Sequence, residues 1–216
     1  MGIPHITPYP MPDSGELPEN TAQWQLDPAR AVFLLHDMQS FFLRAFPAGE
    51  APVADLVRNA QALRERCAAL GIPVAYTRQP GGMTDEQRGL LKDFWGPGMT
   101  TDESQRKVVD EVAPRPGDLL IPKWRYSAFH RSPLLQWLRD QGRDQLVIAG
   151  VYAHIGIMMT AVDAFTHDVQ PFLVADAIAD FTAEDHHLAL RYVAERCGVV
   201  TTTKHVLTDL PAEAPA

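Results

Sequence analysis

Three things are scarce in this sequence. It has only two cysteines, Cys67 and Cys197, far apart and without a CxxC pair; that excludes a disulfide framework and fits reduced thiols in the cytoplasm. It has no run of about 18 apolar residues, so no membrane-spanning helix is expected. It lacks positive charge: 19 Lys and Arg stand against 27 Asp and Glu, a formal net charge of −8. Nucleic acid or an anionic membrane would need a basic face, so neither is expected as a partner. A small anionic ligand stays open, because a few local cations can override the global sign. The first residues carry Pro4, Pro8, Pro10 and Pro12 and no apolar segment after a basic start, unlike a signal peptide.

Several chemical signatures are missing too. There is no GxSxG elbow, no Walker motif and no GxGxxG after a strand, which argues against a serine nucleophile and a nucleotide site. Neither cysteine follows an expected strand, where a helix N-terminus could activate a thiolate. His36, His130, His154, His167, His186, His187 and His205 show no HxxxH or HxH spacing, so no metal and no cofactor are expected. His186 and His187 are adjacent and diverge by about 100° on a helix.

What is present is an alternation of apolar runs and amphipathic segments over 216 residues. That length suits one α/β domain spanning 1–216, with residues 1–30, rich in proline and polar groups, as an extended arm packed over it. Strands are predicted at 31–35, 73–77, 119–121, 146–149, 171–174 and 198–201. Helices are predicted at 53–70, ending at Gly71, and at 132–141, 154–167 and 183–196. The pattern implies a three-layer α/β/α fold with a six-stranded, mostly parallel sheet. The segment 79–106, with Gly81-Gly82, Trp95 and Gly96-Pro97-Gly98, reads as an ordered loop covering a site, with a short helix over 84–94 opened by Thr84.

Ligands in such folds bind beyond the carboxyl ends of the strands. Asp37, Gln79, Lys123 and Tyr152 all fall just after predicted strands. A carboxyl group at the rim of an apolar strand can be tuned to give or take a proton. Position alone leaves Asp37 equally open to a helix-capping role. Lys123 could orient Asp37 or bind a carboxylate, although a solvated surface lysine is the default. Arg88 suits bidentate carboxylate recognition, although an exposed helix charge is the default.

Four blocks carry a resemblance. His36-Asp37-Met38-Gln39, Lys123 to His130, Gly150 to Gly156 and Val174 to Phe181 are similar, in order, to motifs of the isochorismatase family, and the likeness extends into Gly2-Ile3-Pro4. The wider superfamily uses an Asp, a Lys and a Cys. Asp37 and Lys123 fall on the first two, and Gly156 falls where the cysteine would be. The resemblance therefore implies hydrolysis of a vinyl ether rather than a thioester route. It implies Asp37 as acid and Lys123 as its partner, with Gln79, Arg88, Trp95, Tyr152 and Gly156 binding a chorismate-derived substrate, and it implies a homodimer. The segment 79–99 looks especially like stand-alone phenazine-pathway enzymes that act on 2-amino-2-deoxyisochorismate. Isochorismate, on the siderophore route, is the rival substrate, and the carrier domain common on that route is not expected in this chain. A displaced-nucleophile amidohydrolase and a non-catalytic, carrier-binding member stay open as competing functions. The apolar helix face Ile157, Met158, Ala161 and Phe165 reads as core before interface.

Overall fold

The computed structural model describes residues 2–210. Six parallel strands form one sheet in the order β3-β2-β1-β4-β5-β6. β1 (Ala31–His36) and β4 (Gln145–Val151) lie at its centre and are buried along their whole length. β2 (Val74–Arg78) and β3 (Leu119–Pro122) extend the sheet on one side, and β5 (Gln170–Ala179) and β6 (Val199–Thr201) on the other. Side chains alternate across a strand, and β1 divides accordingly. Ala31, Phe33 and Leu35 join one core with Leu56, Ala60 and Leu63 of a long helix. Val32 and Leu34 join a second core on the opposite face. Burial on both faces is why the central strands read as continuous apolar runs.

The helices follow in chain order: α1 (Ser40–Leu43), α2 (Val53–Ala69), α3 (Asp85–Arg88), α4 (Leu91–Trp95), α5 (Glu103–Arg106), α6 (Leu134–Asp140), α7 (Met158–Thr166), α8 (Ala183–Arg196) and α9 (Thr203–Asp209). α2 and α9 cover the first core, and α6, α7 and α8 the second. On α7, Ala161 is fully buried in that core whereas Phe165 remains 49% exposed.

Four predicted elements change. The helix expected over 84–94 is two short helices, because Gly89 takes φ 50°, and a Cβ there would lie 2.7 Å from the Arg125 guanidinium. The helix expected over 154–167 begins with a wide turn, Ala153–Ile157, before α7. The helix expected over 132–141 is shorter, because Ser132 is bonded to the Ala128 carbonyl and the Leu134 N–H ahead of α6. The fifth strand runs on to Ala179 instead of stopping at Val174, with a register shift against β4 between Ile148 and Gly150. Asp176 disguises that strand; its carboxylate accepts from the Thr203 N–H and hydroxyl and so anchors the start of α9.

Residues 2–30 contain no helix or strand. Ile6 is fully buried, the Tyr9 hydroxyl bonds the Asp180 backbone and lies 3.2 Å from His186, and the Asn20 amide pairs with both backbone groups of Val200. That last contact shields the β6 edge from pairing with another chain.

Candidate active site

The strand order reverses direction between β1 and β4, and in an open α/β sheet the crevice at that reversal is where ligands bind. A cleft of about 560 Å³ opens there. Its lining includes all seven predicted site residues: Asp37, Gln79, Arg88, Trp95, Lys123, Tyr152 and Gly156.

Asp37 follows β1 directly, takes φ 52° and is 4% exposed. Its carboxylate accepts from Lys123 Nζ at 2.8 Å and from the Thr77 hydroxyl at 2.6 Å. The same hydroxyl accepts the Asp37 N–H at 2.9 Å. Asp37 is therefore not a helix cap; α1 starts after Gln39. Lys123 is no surface lysine either, being 4% exposed. Burial pushes the Asp37 carboxyl up, but Lys123, His36 and the two hydrogen bonds together outweigh it and hold the group below its ordinary value. The resting pair is an ion pair, Asp37 negative against Lys123 positive.

Arg88 is 5% exposed, which sets aside the exposed-charge reading. Its Nε donates to the Gly96 carbonyl at 2.8 Å and its Nη1 to the Gln79 side-chain oxygen at 3.2 Å. Among the described residues it has no carboxylate partner. Burial, then Arg125, lowers its pKa, so an anion in the cleft would relieve both. Trp95 donates from Nε1 to the Tyr126 hydroxyl at 2.9 Å. Tyr152 donates its hydroxyl to the Phe42 carbonyl at 2.7 Å, so it offers the cleft a ring face, packed 4.5 Å from Phe181 between centroids.

Sequence reasoning missed several residues that support or line this cleft. Thr77 looks like any β-branched strand residue. Gln39 accepts from the Gln79 N–H and donates to the carbonyls of Gln79 and Arg106, so one side chain holds both ends of the 79–106 segment. Arg125, Tyr126, Phe41, Phe42, Phe181 and Ile3 line the cleft itself; Arg125 and Tyr126 sat inside the block that begins at Lys123 and were legible as candidates.

Both thiols lie outside the cleft lining. Burial pushes Cys67 to about 12 and Cys197 to about 11, opposite to what a nucleophile needs. One group with metal-ligand chemistry occurs among the described residues: His154, Asp180 and Asp185, with atoms within 4.8 Å of one another. The Asp180 carboxylate already accepts from the N–H groups of His154 and Phe181 and lies 2.8 Å from His154 Nδ1, and Asp185 accepts from Thr182.

A buried carboxylate–lysine pair at the switch point, with cations facing the cleft and both thiols outside its lining, is an arrangement suited to hydrolytic chemistry. Comparison with known proteins agrees. Residues 31–205 match the isochorismatase domain family, and the chain belongs to that family. It is 58% identical over 206 residues to the phenazine biosynthesis protein PhzD1 of Pseudomonas aeruginosa, covering 95% of this chain and 99% of that one. It is 49% identical over 216 residues to the isochorismatase of Bacillus subtilis, covering 100% of this chain and 69% of that one. A cysteine hydrolase from Pseudomonas syringae shares the fold, with a TM-score of 0.80 at 24% identity over 89% of this chain and 97% of that one. No helix among the described residues is long and apolar enough to cross a membrane.

Proposed function

We propose that this enzyme hydrolyses the enolpyruvyl ether of 2-amino-2-deoxyisochorismate, giving trans-2,3-dihydro-3-hydroxyanthranilate and pyruvate. The observation that carries the reading is the Asp37–Lys123 pair at 2.8 Å, facing a cleft that also holds the uncompensated Arg88. A dianionic ring compound matches those cations, and the ring faces of Tyr152, Phe181 and Trp95 offer it apolar walls. The 58% identity to a phenazine biosynthesis protein favours the amino substrate over isochorismate.

In the free enzyme Asp37 is ionised. A dianion entering the cleft opposes that negative charge and raises the carboxyl pKa. Asp37 takes up a proton and delivers it to the terminal methylene carbon of the enolpyruvyl group. The adjacent carbon becomes oxocarbenium-like, water adds there, and the hemiketal collapses to pyruvate and the ring alcohol. Lys123 holds the carboxyl in place and, after transfer, stabilises the carboxylate that remains. A positioned acid contributes about 10²–10⁴-fold; binding and electrostatics must supply the rest. Gln79 and Arg88 bind substrate carboxylate. We place the enzyme in the cytoplasm as a homodimer that needs no metal or cofactor.

The test is a coupled pyruvate assay on EDTA-treated protein, offering the amino and hydroxy substrates side by side. Pyruvate from both, with the higher kcat/KM for the amino compound, is expected. No pyruvate from either would sink the reading, and a clear preference for isochorismate would move the enzyme to the siderophore route.

A further inference from the structure

His36 has no assigned task, yet it is fully buried beside the acid. Its Nδ1 lies 2.7 Å from the Val151 carbonyl. A carbonyl only accepts, so Nδ1 carries the proton in that bond. Nε2 makes no well-formed hydrogen bond among the described residues, although the Tyr126 carbonyl lies close to the ring. Burial drives the imidazole down to about 4, so it is neutral at ordinary pH.

A Cβ on Gly156 would stand 2.3 Å from His36 Cε1 and 2.9 Å from Nε2, with the Tyr126 carbonyl oxygen at 3.2 Å. The ring cannot swing clear, because the Val151 bond and complete burial hold it. Gly156 belongs to the turn Ala153–Ile157 that leads from β4 into α7, and it lines the same cleft as Asp37 and Lys123. A Ser or Cys on the first turn after a strand, beside a carboxylate and a lysine, is a general arrangement for an activated nucleophile. The backbone of this turn offers that arrangement, and the His36 ring takes the room its side chain would need.

We propose that His36 is the specificity-determining residue that bars any side chain from position 156, and so commits the site to direct addition of water instead of covalent catalysis. The inference rests on the hydrolytic reading above, but its test does not use that substrate.

The test is a pair of double-variant cycles. In the first, G156A alone should melt about 2–12 °C below wild type, the loss expected for overpacking a filled core in a chain of this size. H36A will lower the melting temperature by itself through a cavity. Adding G156A to H36A should then cost far less than it costs in wild type. In the second cycle, G156C alone should be destabilised in the same way. H36A/G156C should gain one thiol that iodoacetamide alkylates at neutral pH, forming a sulfur–carbon bond as iodide leaves. Cys67 and Cys197 are buried and give a low background. Additive melting losses, a double variant that fails to fold, or an introduced thiol that iodoacetamide does not reach would each overturn the proposal. Failure of the pyruvate assay with successful cycles would instead remove the substrate assignment and leave the coupling standing.

Discussion

The two sides of the cleft are built differently. On the strand side, Asp37, Thr77 and Lys123 come from three adjacent strands or their ends. Each is buried, and Thr77 and Lys123 are each joined to Asp37 by bonds of 2.6 to 2.9 Å. On the other side, Gln79, Arg88 and Trp95 belong to a segment made of short helices and turns, pinned at both ends by Gln39. Leu90 and Phe94 on this segment stay 77% and 62% exposed. A parallel sheet fixes positions that proton transfer needs to a fraction of an ångström. An irregular segment can vary its contacts and so suits recognition. The division predicts that damage to the strand side appears in kcat or stability, and damage to the loop side in KM.

The largest effect belongs to D37N, which keeps the shape and removes the acid. A fall in kcat of about 10²–10⁴-fold is expected, with KM within a few-fold of wild type. Near-normal turnover in steady-state kinetics would break the assignment of the acid. K123A follows. It strands a buried carboxylate without its cation, which typically costs about 3–5 kcal/mol, so denaturant unfolding should show the loss alongside reduced kcat. Unchanged stability would mean that Asp37 finds another partner.

R88A sharpens the comparison from the loop side. It orphans no carboxylate, so stability should change little. A hydrogen bond to a charged group is worth about 1.5–3 kcal/mol, so kcat/KM should fall roughly 10- to 100-fold through KM. An equal fall carried by kcat would place Arg88 in the chemistry instead.

Stability should also depend on pH. Burial lowers His36 and His186 from 6.5 to about 4. The folded values lie below the unfolded ones, so both contribute stability that is full above about pH 6.5 and drains away as pH falls toward 4. Asp37, also depressed, adds a loss at still lower pH. Melting temperature should therefore decline between pH 6.5 and 4, and H186F should flatten part of that decline. A flat profile would contradict the buried, neutral state of these rings.

Much of this was legible in the residues. Apolar runs located the central strands, and the Pro- and Gly-punctuated segment 79–106 was recognisable as a cover for the site. α8 runs from Ala183 to Arg196, as its periodicity predicts. The strand-end rule brought forward Asp37, Gln79, Lys123 and Tyr152. What stayed hidden depends on pairs. Thr77 matters only because β1 and β2 are in register, with Leu35 opposite Tyr76, which sets its hydroxyl beside Asp37. Asp176 interrupts the apolar pattern of β5 and made it look short. His36 and Gly156 are 120 positions apart along the chain, and neither alone signals that the ring of one forbids a side chain on the other. Tyr152 was found as a cleft residue, but its hydroxyl is committed to Phe42, a contact that no local pattern reveals.

Where the water attacks decides the central claim. Turnover in water enriched in oxygen-18, with the ring product analysed by mass spectrometry, reads it directly. If Asp37 protonates the vinyl carbon, water adds to the side chain and the ring hydroxyl keeps its original, unlabelled oxygen. Oxygen-18 in the ring hydroxyl would mean displacement at the ring carbon, and Asp37 would not be the acid that protonates the vinyl group.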